Sequence, residues 1–146
     1  EIVVVVFEIP QSELPAFYER EEEFLFEEVQ PETLDGHPMN VKGIICCKWN
    51  DKDYKEQRLQ NNEQLFHEKY GRWGVSKVWD DDILPCRVYL RHCVLAAQKL
   101  GEIAYNSFLD HTFLGDRKTT VRMHLEKNPS IMTELPPPEL AQRYGG

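Results

Sequence analysis

The fold of this chain is decided near its start, where residues 2–29 read IVVVVFEIPQSELPAFYEREEEFLFEEV. The β-branched run at residues 2–7 predicts a strand. Apolar side chains then recur at helical spacing, which predicts a short helix over residues 12–19 with Ser12 as its N-cap. Alternating aromatic residues predict a second strand at residues 24–29. The stretch therefore predicts a strand, a helix and a strand in succession.

A turn-rich link leads from this stretch to a third predicted strand at residues 41–49, so residues 1–50 are expected to be rich in β-structure. Three strands are too few to close a barrel, which needs about five or more. The chain opens inside a strand without an initiating Met, so we expect a further N-terminal stretch to supply strands. The alternative is that helices and a partner chain cover the open edge, in which case a homodimer is expected.

The second half is predicted to be helical. Pro85 is placed to begin a helix, and Gly101 is placed to end it as a C-cap. Between them the apolar positions follow the spacing of one helix face: Leu90, Cys93, Val94, Ala97 and Leu100. A second short helix is predicted at residues 103–109. Asp116 is expected to cap a third helix that runs through Leu125.

The whole of residues 1–146 is expected to form a single domain. Residues 51–80 are predicted to be a helical insertion, of which residues 51–70 form an exposed, loosely docked helix. Residues 83–128 make up the main helical part. Residues 129–146, which contain three consecutive prolines, are predicted to be an extended tail.

Composition excludes several functional classes. The chain has 41% hydrophobic and 29% charged residues, which is typical of a globular protein, and its net charge of -8 argues against binding to nucleic acid or to an anionic membrane. Neither a signal peptide with a basic n-region nor an apolar stretch of spanning length is visible in these 146 residues. Its 4 cysteines are too few for a disulfide scaffold and are expected to be small buried hydrophobes in a reducing cytosol. A soluble, acidic, cytoplasmic protein is expected.

The densest group of ionisable residues lies at residues 19–28. Seven of these ten positions are acidic or basic, and the other three are aromatic or aliphatic. For most of them a solvated acidic face is the favoured interpretation. A narrower interpretation is that a helix running directly into a strand places one carboxylate at the mouth of a cavity. Neighbouring carboxylates and partial burial would raise its pKa, as a general base working near neutral pH requires.

Two segments resemble the gamma-glutamylcyclotransferase-like superfamily. The first contains Val-Val-Phe-Glu-Ile at residues 5–9 and Phe-Tyr-Glu-Arg-Glu at residues 17–21, which are similar to a family strand followed by a helix that carries the catalytic Glu. The second is similar to a family helix that begins with Pro and ends with Gly, and it matches at Pro85, Tyr89, Ala96, Ala97, Gly101 and Tyr105. Together the matches cover about residues 2–49 and 83–109.

The resemblance implies an α+β fold with a small β-barrel or sheet, incomplete in this chain, and a helical C-terminal half. It implies that Glu21 is the catalytic acid/base and that Tyr89 binds the substrate. The implied reaction is an intramolecular cyclisation of a small γ-glutamyl amide to 5-oxoproline with release of an amine or amino acid. The substrate supplies its own nucleophile, so neither a cofactor nor a metal is expected.

A second hypothesis keeps the fold without the chemistry, as a catalytically inactive member that binds a ligand or another protein. Its interaction surface would be the helix at residues 51–70 and the loop between Trp73 and Trp79. Two departures from the family pattern favour it. The family loop Y-G-[ST]-L is absent from these 146 residues, and Glu22 stands where the family has Gly after the catalytic Glu.

Overall fold

The computed structural model describes residues 1–145 and shows a protein of mixed α and β structure, as predicted. The regular elements are α1 (Leu14–Arg20), β1 (Leu25–Val29), β2 (Gly43–Cys47), α2 (Asp51–Gln57), α3 (Glu63–Lys69), α4 (Arg87–Lys99), α5 (Glu102–His111), α6 (Val121–Lys127) and α7 (Ala141–Tyr144). Short 3-10 helices cover Gln11–Glu13, Gly71–Trp73, Pro129–Thr133 and Pro138–Leu140. None of the helices in the described range is long and apolar enough to cross a membrane.

The chain divides into two compact units. Residues Val6–Asp80 form one unit, which we call the sheet unit. Residues Glu1–Val5 and those from Asp81 onward form the other, which we call the C-terminal unit.

The sheet unit contains one antiparallel pair of strands. β1 pairs with β2 in a register that runs from Leu25 opposite Cys47 to Val29 opposite Gly43. The strands are joined by a turn-rich link in which Gly36 takes a φ of +82°, a conformation that glycine adopts without steric cost. Both strands lie within the predicted ranges, because the turn residues that bound them and the alternation of their side chains can be read from the strands and the link between them.

The predicted first strand is wrong. Residues 1–10 have no regular secondary structure, and Ile2, Val4, Val5, Val6 and Phe7 are exposed. The backbone N–H of Val3 donates to the Ser107 hydroxyl at 2.8 Å and not to a neighbouring strand. β-branched residues favour a strand only where another strand supplies the hydrogen bonds and the packing. Within the described residues the β-structure is therefore a two-stranded sheet and not a closed barrel.

Residues 51–80 are helical in part, but the single exposed helix predicted for residues 51–70 is wrong. The chain breaks between α2 and α3, where Gln60 and Asn61 take φ values of 52° and 55°. The helices are also docked firmly, because Tyr54 is completely buried. It forms a core with Trp49 and Leu59, against which side chains from β1, from α3 and from the residues after α3 pack: Leu25, Leu65, Phe66, Tyr70, Val78 and Trp79.

The core of the C-terminal unit lies between α4, α5, α6 and the 3-10 helix Pro129–Thr133. Its buried members are Leu90, Val94, Leu109, Val121 and Ile131. The predicted apolar face of α4 is confirmed at Leu90, Val94 and Ala97, whereas Leu100 is exposed.

Several predicted boundaries differ from the structure. α4 begins at Arg87, after Pro85, and Gly101 lies just before α5 with a φ of +101°. The Thr120 side chain caps α6 in place of Asp116, by accepting a hydrogen bond from Met123 N at 3.2 Å. Ser12 lies inside the 3-10 helix Gln11–Glu13 and caps nothing.

The tail predicted for residues 129–146 is extended only around Glu134–Pro137. Elsewhere in its described part it forms two 3-10 helices and α7. Of the three consecutive prolines that predict an extended tail, Pro138 is the first residue of the 3-10 helix Pro138–Leu140, where a missing N–H costs nothing, and Pro137 is its N-cap.

Candidate functional site

Glu21 lies at the junction between α1 and β1, as the narrower interpretation of the acidic segment requires. It is the residue that caps the C-terminus of α1, and its backbone N–H donates to Phe17 O at 3.0 Å. Its carbonyl then accepts from Phe24 N at 3.0 Å, which closes a tight turn into the strand. We call residues 21–24 the Glu21 turn.

The Glu21 turn does not need the glycine that the family pattern has at position 22. Among the described residues, the non-glycine positions with positive φ are Gln60, Asn61 and Arg117. Glu22 is therefore in a conformation open to any L-residue. The departure at Glu22 is compatible with the observed backbone.

Aromatic packing fixes α1 on the sheet. The ring of Phe26 on β1 lies 5.8 Å from the ring of Phe17 and 4.9 Å from that of Tyr18, the second contact being edge-on. Edge-on and tilted ring pairs of this kind add to the stabilisation from buried area alone. The end of α1, where Glu21 lies, is thereby held against β1.

The Glu21 side chain is partly buried, with 29% of its surface exposed, and its Oε1 lies 3.2 Å from Nε of Arg20. The Arg20 side chain is 61% exposed and also lies over the ring of Phe17, with its guanidinium carbon 5.8 Å from the centroid. An exposed cation of this kind can change partners at little cost. Glu21 is thus partly buried, and the carboxylate of a bound ligand could attract its partner Arg20 away from it.

A cavity of about 370 Å³ adjoins this pair. It is lined by Phe7, Glu8, Ile9, Glu13, Ala16, Phe17, Arg20 and Glu21. The volume falls within the range of small-molecule sites, and an apolar wall with a few charged groups is typical of such sites. The lining carries both signs of charge, which suits a zwitterionic ligand.

Cys46 lies near this site on β2, and two effects raise the pKa of its thiol. Burial is the larger effect, and the charge of Glu21 is the next. A raised pKa keeps the sulfur protonated at neutral pH, and a thiol is a poor nucleophile. The expectation that the four cysteines are buried is wrong: Cys46, Cys47 and Cys93 are partly buried, and Cys86, just before α4, is exposed.

The two residues after Glu21 have partners that the sequence did not indicate. Glu22 forms an ion pair with Lys69, and the Glu23 carboxylate accepts a hydrogen bond from the Tyr70 hydroxyl at 3.1 Å. The interpretation of the acidic segment as a solvated face is confirmed at Glu19, Glu27 and Glu28, which are exposed. It is wrong at residues 21–23, which are partly buried.

Tyr89 lies on α4 in the C-terminal unit, whereas Glu21 and its cavity belong entirely to the sheet unit. Its ring stacks on His92 with the planes 27° apart, and Tyr144 of α7 meets it edge-on at 5.8 Å. The ring remains half exposed. An exposed aromatic face beside an imidazole is suited to packing against a small ligand, and the role of Tyr89 in substrate binding stays a prediction.

No group of three or more His, Cys, Asp or Glu side chains within residues 1–145 is arranged to hold a metal ion. The groups that the site itself offers are the Glu21 carboxylate, the Arg20 guanidinium and the cavity walls. Comparison with protein-family models, with curated proteins and with solved structures finds no match to this chain.

Proposed function

We propose that this protein is a γ-glutamylcyclotransferase-like enzyme in which Glu21 is the general acid/base. The observation that carries the proposal is the position of the Glu21 carboxylate, which is 29% exposed and lies on the wall of a cavity of about 370 Å³ next to a guanidinium. A carboxylate in such a place can reach a bound ligand and exchange protons with it.

The proposed reaction needs one proton-transfer group and no external nucleophile. Glu21 takes a proton from the α-ammonium of the substrate, and the free amine attacks the γ-carbonyl carbon to form the lactam C–N bond. The tetrahedral intermediate then collapses, the C–N bond to the leaving amine breaks, and the proton passes from Glu21 to that amine. The lactam nitrogen gives up its second proton to solvent, and the released amine takes up a proton to become an ammonium. The products are 5-oxoproline and an amine or amino acid, and no water is consumed. Ring closure within one molecule supplies the proximity that makes the attack favourable.

The charges of the cavity suit both ends of a γ-glutamyl group. The carboxylates of Glu8, Glu13 and Glu21 would attract the α-ammonium, and the guanidinium of Arg20 would pair with the α-carboxylate. When Arg20 turns to the substrate, the Glu21 carboxylate loses its ion-pair partner and becomes available to the α-ammonium. Binding of the substrate would thus free the carboxylate for proton transfer. The apolar walls at Phe7 and Phe17 would contact the methylene groups.

The test is release of 5-oxoproline, measured by mass spectrometry, from a panel of γ-glutamyl peptides and γ-glutamylamines. The parent chain is compared with Glu21→Gln, which removes the proton acceptor and keeps the shape. Glu19→Gln is the matched control, because Glu19 lies on the same helix, is exposed and does not line the cavity. We expect Glu21→Gln to lower kcat by about 100-fold or more and the control to match the parent. Equal activity of Glu21→Gln and the parent would refute the role of Glu21, and no release by the parent would refute the activity.

The second hypothesis is a binding module that does not turn its ligand over. The charged lining of the cavity favours it as well, because recognition of a zwitterion does not require proton transfer. Saturable binding of a γ-glutamyl compound by calorimetry, lost in Arg20→Gln and unaccompanied by product, would support this alternative.

A further inference from the structure

The segment of residues 51–79 contacts the Glu21 turn at three points. Lys69 Nζ forms an ion pair with the Glu22 carboxylate. The Tyr70 hydroxyl donates to Glu23 Oε1 at 3.1 Å, and Trp79 Nε1 donates to the Glu23 carbonyl at 3.1 Å. The partners are 47 to 56 residues apart in the sequence. These three donors, Lys69, Tyr70 and Trp79, are called the clamp.

Trp79 also holds the turn through its ring. The centroid of its indole lies 5.3 Å from that of Phe24, in an edge-on arrangement with the planes 72° apart. The indole therefore packs on the last side chain of the Glu21 turn while its N–H bonds the preceding carbonyl. Of the two tryptophans considered as a recognition loop, Trp73 is exposed and Trp79 belongs to the clamp.

Tyr70 is itself fixed by a buried partner. Its hydroxyl oxygen lies 2.6 Å from that of Tyr54, which is completely buried. Each hydroxyl has one proton, so a Tyr70 that donates to Glu23 accepts from Tyr54. Burial is the main cause that raises the pKa of Tyr70, and the hydrogen bond with Tyr54 adds to it. Tyr70 therefore remains a proton donor at every pH where the protein is expected to work.

The clamp and α1 constrain the Glu21 turn from both of its ends. Glu21 N is bonded back to α1 through Phe17 O, while Glu22 and Glu23 are bonded to the clamp. A general base has to be held within about 0.5 Å of its productive position, since larger errors cost much of the rate. The carboxylate of Glu21 itself is left out of these contacts and remains available to the cavity.

We propose that Lys69, Tyr70 and Trp79 are positioning residues that hold the Glu21 turn, so that residues 51–79 align the acid/base of the enzyme. The inference rests on the proposed function of Glu21. It gives the helical insertion a role within the site. Glu22, which replaces the glycine of the family pattern, becomes the anchor for Lys69.

Tyr70→Phe is the most informative variant, because it deletes one hydroxyl and keeps the ring. Tyr18→Phe is the matched control, since it keeps the ring that packs on Phe26 and removes only a hydroxyl that lies outside the clamp and outside the cavity lining. We expect Tyr70→Phe to lower kcat about tenfold and to change KM by no more than about twofold. This is the result expected if the variant misaligns Glu21 but still binds the substrate. The control should match the parent. Lys69→Met should behave as Tyr70→Phe does, and Lys69→Arg, which keeps the charge, should restore most of the rate.

Hydrogen exchange at the amides of Glu21 and Phe24 provides a readout that does not depend on activity. We expect both amides to exchange about tenfold faster in Tyr70→Phe than in Tyr18→Phe. Unchanged exchange would overturn the clamp, and faster exchange with an unchanged kcat would overturn its positioning role. If the parent releases no 5-oxoproline, the proposed function fails, and the exchange of these amides still decides whether the clamp fixes the turn.

Discussion

Replacing Ile131 with Ala should destabilise the C-terminal unit by about 3–4 kcal/mol. Ile131 is 0% exposed and lies in the 3-10 helix Pro129–Thr133, against Leu90 and Val94 of α4 and Val121 of α6. The substitution removes three buried carbons, worth about 0.8 kcal/mol each in transfer free energy, or roughly 2.4 kcal/mol. The rest of the loss comes from the cavity, because a core between three helices and a short 3-10 helix cannot close fully around the missing atoms.

Ile103→Ala is the matched control. It deletes the same atoms in the same unit, but Ile103 lies on the surface of α5 with 63% of its area exposed. Its effect is expected to stay within about 0.5 kcal/mol of the parent.

Both variants can be measured by urea unfolding followed by far-UV circular dichroism. We expect Ile131→Ala to lower the midpoint with no change in the m-value, and to lower Tm by about 6–16 °C. Equal losses in the two variants would mean that Ile131 is not in a packed core. An extended tail, as the sequence predicts for residues 129–146, would then describe this segment better than a packed 3-10 helix.

Two further predictions concern stability. Hydrogen bonds from the Thr119 hydroxyl and from the backbone N–H groups of Lys118 and Thr119 hold the pKa of Asp116 at about 2, below its ordinary 3.8. The ionised carboxylate should therefore stabilise the fold above about pH 4, and this stabilisation should be lost as the pH falls through 2. Asp116→Ala should therefore lower the urea midpoint at pH 7, with a difference from the parent that shrinks between pH 4 and pH 2; a difference that stays constant would contradict the hydrogen bonds. Gly101→Ala should cost about 1–3 kcal/mol, because a φ of 101° is open to glycine alone. Gly43→Ala, where a Cβ meets Val29 at an ordinary 3.8 Å, should be nearly neutral, and equal effects of the two changes would refute the backbone argument.

The elements that the sequence predicts correctly are those whose own residues carry the periodicity of a helix or a strand. α4 is defined by the repeat of Leu90, Val94 and Ala97, and the strands β1 and β2 by alternation between turns. The run at residues 2–7 has a strong local signal as well, yet it is not a strand here. A helix makes its hydrogen bonds within one segment, whereas a strand depends on a second segment that no local pattern reveals.

The candidate site divides in the same way. The residue pattern predicts one unspecified carboxylate at the junction of helix and strand, and the family resemblance alone singles out Glu21, which lies at that junction beside a cavity. The clamp was not predicted, because Lys69, Tyr70 and Trp79 are common surface or core residues with no motif spacing. The sequence does not predict Tyr54 as a core residue, because it is surrounded by charged residues and belongs to no periodic apolar pattern. Only the packing of α2 and α3 shows that its hydroxyl is bonded to Tyr70.

Three consecutive partly buried glutamates would ordinarily oppose folding through mutual repulsion. Here each has a different partner: Glu21 pairs with Arg20 of α1, Glu22 with Lys69 at the end of α3, and Glu23 with the hydroxyl of Tyr70, which caps α3. A merely solvated acidic face would need none of these partners, since water would stabilise each carboxylate. The partners also differ in how easily they can leave. Those of Glu22 and Glu23 reach across the unit from residues 69 and 70, whereas Arg20 is a neighbour in sequence and mostly exposed. Glu21 is thus the carboxylate whose cation a ligand can most readily displace, and this property supports the proposed role of Glu21 as the general base.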